Sequence, residues 1–257
     1  MKKQIESLID KYELTHIKQE LLSTIFTCVK VFPRQEDSLP IGCSKMGGVP
    51  DVPDAFQYPT YKGYPLDFIA QFNLADLQEV GMKHDLPATG MLYFFYFADQ
   101  KHEDFHEVYG NPNRKEGWRV LHYDVQAEQL QRMSDIKGTY TQCAITFELT
   151  YKLPELFIED EADSDRFLQL LEELSPDQYD NHQLFGEPFS VQAEVFEEAE
   201  EYIGVPHHDM TLLFQIDSDQ PNCNMMWGDL GMLYFCIANE DLKHRRFENT
   251  CCLLQSC

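Results

Sequence analysis

The hydrophobic pattern of this chain is dominated by one short segment that occurs twice. GMLYF is found at residues 90–94 and again at residues 231–235, and further apolar residues follow each copy. Successive side chains of a β-strand point to opposite faces, so a run that is apolar at every position has two apolar faces. Such a strand is typically covered on both sides near the middle of a sheet. The pattern therefore predicts two central strands.

A second pair of matched segments precedes these strands. DFIAQFN at residues 67–73 alternates, with Phe68, Ala70 and Phe72 on one face and Gln71 on the other, and TLLFQID repeats this pattern with Gln215 in the matching place. An upstream Gly-Pro turn, the glutamine and GMLYF recur at offsets of 138, 144 and 141 residues. Three similar offsets in the same order predict a diverged internal duplication of one sheet unit.

Two further segments have the period of a helix. Apolar residues recur at steps of three and four between residues 4 and 31, which predicts one broken amphipathic helix or two, ended by Pro33. A second periodic segment, residues 164–175, predicts a helix that Ser164 or Asp165 caps.

The remaining segments complete the predicted sheet. Apolar and β-branched residues predict strands at residues 118–125, 141–153 and 250–255. Four prolines and a glycine pair between residues 43 and 65 predict a loop with specific turns. The segment 190–204 fits either a helix or a strand.

The predicted fold class is α+β: a predominantly antiparallel sheet built from two diverged copies of one unit, with N-terminal helices and a connecting helix. A chain of 257 residues can bury a substantial core, and we expect one compact domain. Its predicted segments are an N-terminal helical segment at 1–33, a first sheet repeat at 34–153, an acidic helical connection at 154–182 and a second sheet repeat at 183–257.

The chain is strongly acidic. Twenty basic and 44 acidic residues give a formal charge of -24, which repels phosphate backbones and argues against a nucleic-acid partner. Residues 155–201 hold 16 acidic residues and one basic residue, Arg166. This concentration indicates either a solvated surface that keeps the protein in solution or a docking surface for a basic partner.

The cysteines and the N-terminus indicate a cytoplasmic protein. Eight cysteines are scattered without a CxxC pair, and the first residues lack the apolar run of a signal peptide. This pattern favours reduced, buried thiols over a disulfide framework. No window approaches the roughly 18 uninterrupted apolar residues of a transmembrane helix, so no membrane association is predicted.

One segment fits a zinc-binding pattern. HEDFH at residues 102–106 matches HExxH, in which two histidines one helical turn apart bind zinc and the glutamate activates water. The segment is charged and leads into the turn-rich GNPN, so an exposed loop is the favoured interpretation. His102 and His106 are therefore weak candidates, and no metal site or cofactor is predicted.

Other polar residues stand out against apolar or turn-forming surroundings. Gly47 and Gly48 indicate a tight turn or, together with Lys45, an anion site, although no phosphate-loop motif surrounds them. Gln71 and Gln215 are amides on hydrophobic strands, which must find hydrogen-bond partners if they are buried. They either fix the sheet or contact a ligand.

A turn before the second GMLYF holds an aromatic and an acidic residue. Trp227 and Asp229 are placed to line a cleft between the two copies. No catalytic residue is assigned, and the candidate ligand-binding residues are Lys45, Gly47, Gly48, Gln71, Gln215, Trp227 and Asp229.

The order of the motifs resembles that of the YwqG-like family, a mostly bacterial family of unknown function. The motifs run from SKMGGVPDVPDAFQYP through GYPLDFIAQFNLADL and LPATGMLYFFY to HQLFGEP and MMWGDLGMLYFCI, and the resemblance spans residues 43–255. It implies a largely β, α+β protein and supplies no established activity or catalytic residues. Members are suggested to sit among toxin and immunity loci.

Two functions follow from these observations. The first is a non-catalytic binding protein, of immunity or adaptor type, that covers a basic protein with its acidic connection. The second is a hydrolase or small-ligand enzyme with its site between the two repeats. The charge and the lack of a catalytic cluster favour the first.

Overall fold

Ten antiparallel strands form one continuous sheet that organises the fold. The structure, a computed structural model, describes residues 2–98, 117–175 and 181–256. The strands are β1 Phe26–Gln35, β2 Lys45–Met46, β3 Asp51–Pro53, β4 Thr60–Tyr61, β5 Tyr64–Pro65, β6 Asp67–Asn73, β7 Met91–Tyr96, β8 Trp118–Tyr123, β9 Leu130–Arg132, β10 Cys143–Lys152, β11 Gln183–Leu184, β12 Met210–Asp217, β13 Met232–Ala238 and β14 Cys251–Gln255. The α-helices are α1 Lys2–Lys11, α2 Lys18–Ser23, α3 Leu74–Glu79, α4 Glu161–Leu174, α5 Val195–Ile203 and α6 Asn239–Lys243.

The sheet has the same order of strands on both sides of a central pair. β1 and β10 pair along ten residues each. Outward from β1 the order is β11, β12, β13 and β14, and outward from β10 it is β2, β6, β7 and β8. The structure confirms an α+β fold with a large antiparallel sheet. The duplication stays a prediction, because an equal order of strands does not by itself establish a common origin.

Both glutamine-bearing strands contain a β-bulge next to the GMLYF strand. The register shifts between Phe68 and Ala70 in β6, and between Leu212 and Phe214 in β12. A bulge inserts one extra residue and interrupts the alternation of faces. Phe68 and Ala70 therefore oppose successive residues of β7 and lie on opposite faces, contrary to the strict alternation predicted for this segment.

The central strand β1 occupies a segment that was predicted to end a helix. That prediction was wrong from Phe26 onward, since continuous pairing with β10 overrides the local helical pattern. Val31 donates its N–H to the His182 carbonyl at 3.0 Å, on the β11 side of the strand. The nitrogen of Pro33 faces the same neighbour as that of Val31, because the two residues are two positions apart in the strand. Since β11 pairs only with Val29 and Lys30, the lack of an N–H at Pro33 breaks no hydrogen bond between strands.

Helix α4 begins three residues earlier than the sequence predicted. Its cap is Asp160, whose carboxylate accepts a hydrogen bond from the Asp163 N–H at 3.0 Å, and not Ser164 or Asp165. Two further acidic residues in the first turn favour this start, because they complement the positive end of the helix dipole.

The segment 190–204 contains helix α5, which resolves the choice between helix and strand. Gly204 ends the helix in the left-handed conformation, with φ of 78°. The helix covers one face of the second GMLYF strand, β13. That face carries Met232, Tyr234 and Cys236, and the opposite face carries Leu233, Phe235 and Ile237, which lie in the main core. The strand is therefore buried on both faces, as predicted.

The sheet curls until its two ends nearly meet. In the core, the ring of Phe94 in β7 lies 5.3 Å from that of Phe214 in β12 and 5.1 Å from that of Phe235 in β13. These two strands belong to the other half of the sheet. At the edge, the Trp118 indole in β8 donates to the Thr250 carbonyl, beside β14, at 2.8 Å. Curling allows both halves to bury their apolar faces in one core.

The N-terminal helices and α4 form a separate apolar layer. Ile5 and Ile9 of α1 pack with Phe167 and Leu170 of α4 in one buried cluster. None of the helices in the described residues has both the length and the apolar character needed to cross a membrane.

We expect Trp118→Phe to destabilise the protein by about 1–3 kcal/mol, because it leaves the buried Thr250 carbonyl without its donor while keeping an aromatic ring. Urea unfolding followed by circular dichroism measures the change. A free energy of unfolding equal to that of the wild type would contradict the role of this hydrogen bond in closing the sheet.

Candidate functional site

A buried carboxylate, Asp51, lies at the centre of a charge cluster beneath the loop before β6. The side chains of Asp51, Lys45 and Gln71 are fully buried. Asp51 accepts hydrogen bonds from Arg132 Nε at 2.8 Å, from Gln71 Nε2 at 3.0 Å and from the Gly42 N–H at 3.0 Å. Lys45 Nζ lies 3.0 Å from Asp51 Oδ2. The cluster therefore holds two cations around one anion.

The protonation of the cluster follows from its burial. Loss of solvation lowers the pKa of Lys45 even though Asp51 opposes the shift. Burial alone would raise the pKa of Asp51, but hydrogen bonds and the nearby charges of Arg132 and Lys45 hold it below its usual value. Lys45 Nζ is paired by charge, since no partner within the described residues meets it with hydrogen-bond geometry. Only Arg132, with 29% of its side chain exposed, connects the cluster to solvent.

Gln71 ties the loop to the sheet within this cluster. Its Oε1 accepts from the Asp51 N–H at 2.8 Å, and its Nε2 donates to the Cys43 carbonyl at 2.8 Å. The hydroxyl of Tyr93, in the neighbouring strand β7, donates to the Asp51 carbonyl at 2.6 Å. The side-chain amide of Gln71 therefore makes its hydrogen bonds to the protein itself and is not available to a ligand.

Gln215 makes the same contacts with backbone groups in the other half of the sheet. Its Oε1 accepts from the Phe189 N–H at 2.8 Å, and its Nε2 donates to the Asn181 carbonyl at 2.8 Å. The hydroxyl of Tyr234, in β13, donates to the Phe189 carbonyl at 2.7 Å. Each glutamine therefore fixes the loop that precedes it, and the two candidates lie in separate places.

The two ties differ in charge. Lys45 faces Gln71 across the β2–β6 pair, whereas Gln183 faces Gln215 across the β11–β12 pair. Where the first side has Asp51, the second has Phe189. The second side forms its tie with neutral residues, so the hydrogen bonds do not require an ion cluster.

The glycine pair forms a tight turn. Gly47 and Gly48 have φ of 63° and 69°, and a Cβ on Gly47 would lie 2.1 Å from the Thr141 carbonyl oxygen. Their N–H groups donate to the Ile69 and Tyr140 carbonyls. With these donors used and Lys45 buried, the turn offers no open cradle for an anion.

Trp227 and Asp229 have different surroundings. Trp227 is buried, donates its indole N–H to the Asp217 carbonyl at 3.1 Å, and packs edge-on against Tyr96 and Tyr140. Asp229 is exposed in the following turn. The indole belongs to the core.

The HExxH candidates His102 and His106 lie outside the described residues. Within the described residues, no three histidine, cysteine or acidic side chains are grouped closely enough to hold a metal ion.

An open groove of about 910 Å³ lies between the turn after α3 and the half of the sheet that contains β12. The first wall contains Lys83 and His84, and the opposite wall contains Phe185, Phe196 and the beginning of β12. None of the seven candidate residues lines it. His84, His207 and His208 are visible as histidines in the sequence, but nothing in the sequence indicates that they lie in one groove. The curling of the sheet brings them together.

The outer face of α4 is a second exposed feature. Glu161, Asp165, Leu168 and Glu172 follow one another at steps of four, three and four residues, so they share one face. All four are exposed, and Leu168 has 44% of its surface accessible. Phe157, which precedes the helix, is 93% exposed. We call these five residues the α4 surface.

Comparison with known families gives one match. A family model described as domain of unknown function DUF1963 matches residues 44–257. The chain belongs to this family. No curated protein matches the chain. The DUF1963 match covers the sheet from β2 onward and assigns no activity.

We expect Asp51→Asn to destabilise the protein by about 3–5 kcal/mol, because it leaves the charges of Lys45 and Arg132 without their anion. Asp54→Asn is the matched control, since Asp54 is exposed and accepts a hydrogen bond only from Gln131 among the described residues. The control should change stability by no more than about 0.5 kcal/mol. Equal effects in chemical unfolding would show that the cluster contributes nothing specific.

We also expect a pH-dependent contribution from His84. Burial lowers its pKa below the usual 6.5, so the unfolded chain takes up a proton before the folded protein does. His84 therefore lowers stability as the pH falls below 6.5, and His84→Gln should lose less stability than the wild type over this range. Urea unfolding between pH 7.5 and pH 5 tests this; parallel stability curves would contradict it.

Proposed function

We propose that the protein is a non-catalytic binding protein that covers a basic protein partner with the α4 surface. The observation that carries this proposal is the exposure of Phe157 and Leu168 in an acidic segment of the chain. Within the described residues, Glu161, Asp165 and Glu172 form no ion pair or hydrogen bond through their carboxylates.

The composition of the surface supports a protein partner. Phe157 is the most exposed large apolar side chain of the described residues and Leu168 is also exposed, so a protein partner that covers them would remove apolar surface from water. Phe157 offers an aromatic ring to a guanidinium or ammonium group, and such contacts are strengthened when water is excluded. The surrounding carboxylates add charge complementarity, which raises association rates and disfavours acidic partners.

The helix is well supported behind this surface. Its opposite face packs against α1 through Phe167 and Leu170. At the edge of that contact, Lys11 donates to Glu173 and Arg166 pairs with Asp163 at 2.8 Å. Lys11, Lys18 and Arg166 of this layer pair with Glu173, Asp10 and Asp163, and not with the carboxylates of the exposed face. A rigid helix presents its side chains with little loss of entropy on binding.

The resemblance to the YwqG-like family supports the same proposal. We infer membership of that family, a cytoplasmic location and an immunity-type role in which the acidic protein neutralises a basic one. The charge of -24 and its concentration in the connection support this inference.

Affinity capture from the native host with quantitative mass spectrometry tests the proposal. We expect the wild type to enrich a protein with an isoelectric point above about 9, and the triple reversal Glu161→Lys, Asp165→Lys and Glu172→Lys to lose it. Phe157→Ala should weaken binding of the purified partner by about tenfold, which corresponds to roughly 1.4 kcal/mol.

The matched control carries the same change of charge elsewhere. Asp37→Lys, Glu128→Lys and Asp135→Lys alter three exposed acids that lie outside residues 155–201. This variant should retain the partner. Equal loss in both triple variants would reduce the effect to net charge, and capture of no basic protein by the wild type would overturn the proposal.

A further inference from the structure

The groove beside α3 combines space, aromatic walls and local charge balance. Its volume of about 910 Å³ falls within the range of small-molecule sites, which is roughly 300–1,000 Å³. It is separate from the α4 surface, because no residue of that surface lines it.

Two histidine–phenylalanine stacks line the groove from different elements. The His84 ring stacks on Phe185 with centroids 5.2 Å apart and planes at 12°. The His207 ring stacks on Phe196 at 6.3 Å and 14°. Met210 and Leu212 of β12 and Leu242 of α6 also border the groove, but they are buried and offer a ligand little surface. The flat rings favour a planar ligand body.

The charge of the groove differs from that of the molecule. The whole chain has 44 acidic residues and 20 basic ones. The groove is lined by two lysines, Lys83 and Lys243, and by two acids, Asp85 and Glu187, together with three histidines. The excess of negative charge is therefore absent here, and the lysine ammonium groups offer partners for an anionic group.

The polar atoms of the groove suit a ligand better than a metal ion. His84 Nδ1 is buried and has no partner with hydrogen-bond geometry within the described residues, although the Leu86 backbone lies close enough to affect the ring. The rings of His207 and His208 lie 6.0 Å apart at 80°, and no metal-binding group forms within the described residues. Stacking and hydrogen bonding remain as the functions that these rings can serve.

We propose that this groove binds a small planar organic anion, with its apolar body against the stacked rings and its anionic group beside Lys83 and Lys243. The stacked rings contact the planar body of the ligand, and the two lysines pair with its anionic group. This site lies beyond the proposed protein-binding function and does not depend on it.

Titration with 2-naphthoate tests the proposal on the full chain. The probe has a planar apolar body and one carboxylate, and its neutral analogue 2-naphthamide has the same shape. We expect saturable binding of naphthoate with a dissociation constant on the order of 0.1–1 mM, given the affinity usual for ligands of this size. The ring signals of the histidines in the NMR spectrum should report where it binds, with shifts confined to His84, His207 and His208.

Charge variants separate the groove from the rest of the surface. Lys83→Glu with Lys243→Glu should weaken naphthoate binding by about tenfold and change naphthamide binding less than about twofold. The control, Lys62→Glu with Lys137→Glu, makes the same change of charge at exposed lysines outside the groove and should leave both affinities within about twofold.

Three results would overturn the proposal: no saturable binding of naphthoate, equal losses in both double variants, or shifts in histidines outside the groove alone. Equal affinity for naphthoate and naphthamide would remove the assignment of an anion. Circular dichroism of each variant verifies that it is folded. The capture of a basic partner should be unchanged in Lys83→Glu with Lys243→Glu, so failure here and failure of the proposed function can be distinguished.

Discussion

The fold depends on the need to cover both faces of the two GMLYF strands. A strand with two apolar faces must be covered on each side, and a flat sheet of ten strands would leave one face of each half exposed. Curling brings Phe94 against Phe214 and Phe235, so each half covers the inner face of the other. Helix α5 then covers the outer face of β13. The groove beside α3 is a consequence of this curvature, because it forms where the turn after α3 approaches the half of the sheet that contains β12.

The hydrogen bonds of Gln71 and Gln215 show which contacts the two halves of the sheet share and which occur in only one half. Both sets of contacts use a buried glutamine, a tyrosine hydroxyl from the next strand and three backbone groups of the preceding segment. Only the first adds Lys45, Asp51 and Arg132. A buried ion cluster is expensive to desolvate and often adds little stability compared with an apolar replacement, while breaking it is costly. The cluster therefore adds charged contacts to the loop from Gly42 to Asp51, whereas the loop on the other half of the sheet is held by neutral hydrogen bonds.

Much of the sheet could be predicted from local pattern, and the exceptions have physical causes. The strands around Gln71 and Gln215 and both GMLYF strands follow from apolar alternation or from continuous apolar runs. Strand β1 was missed because its structure depends on pairing with β10, more than 100 residues away in the sequence. The bulge at Ile69 was missed for the same reason, since a register shift is a property of two strands and not of one.

The candidate site was harder to predict than the fold. Polar residues such as Lys45 and Gln71 are conspicuous in the sequence because their neighbours are apolar. In the structure they are buried, and their polar atoms interact with other groups of the protein. The groove residues are inconspicuous in sequence and come from distant segments that only the curled sheet unites. His84 illustrates this: it follows a short helix in a polar segment, and its significance lies in its stack on Phe185, which is 101 positions further along the chain.

The distribution of charge links the two proposed surfaces. With a formal charge of -24, the molecule attracts cations at long range and repels anions. This field favours the approach of a basic protein to the α4 surface and disfavours the approach of an anion to the groove. At physiological ionic strength, charges further away than about 8 Å are largely screened, which leaves the groove to its own balanced set of lysines and acids. An anion that reaches the groove is therefore held by contacts within a few ångströms, from the rings of His84 and His207 and from the lysines. Recognition of a basic protein can begin at long range, whereas recognition in the groove depends on shape and close contact.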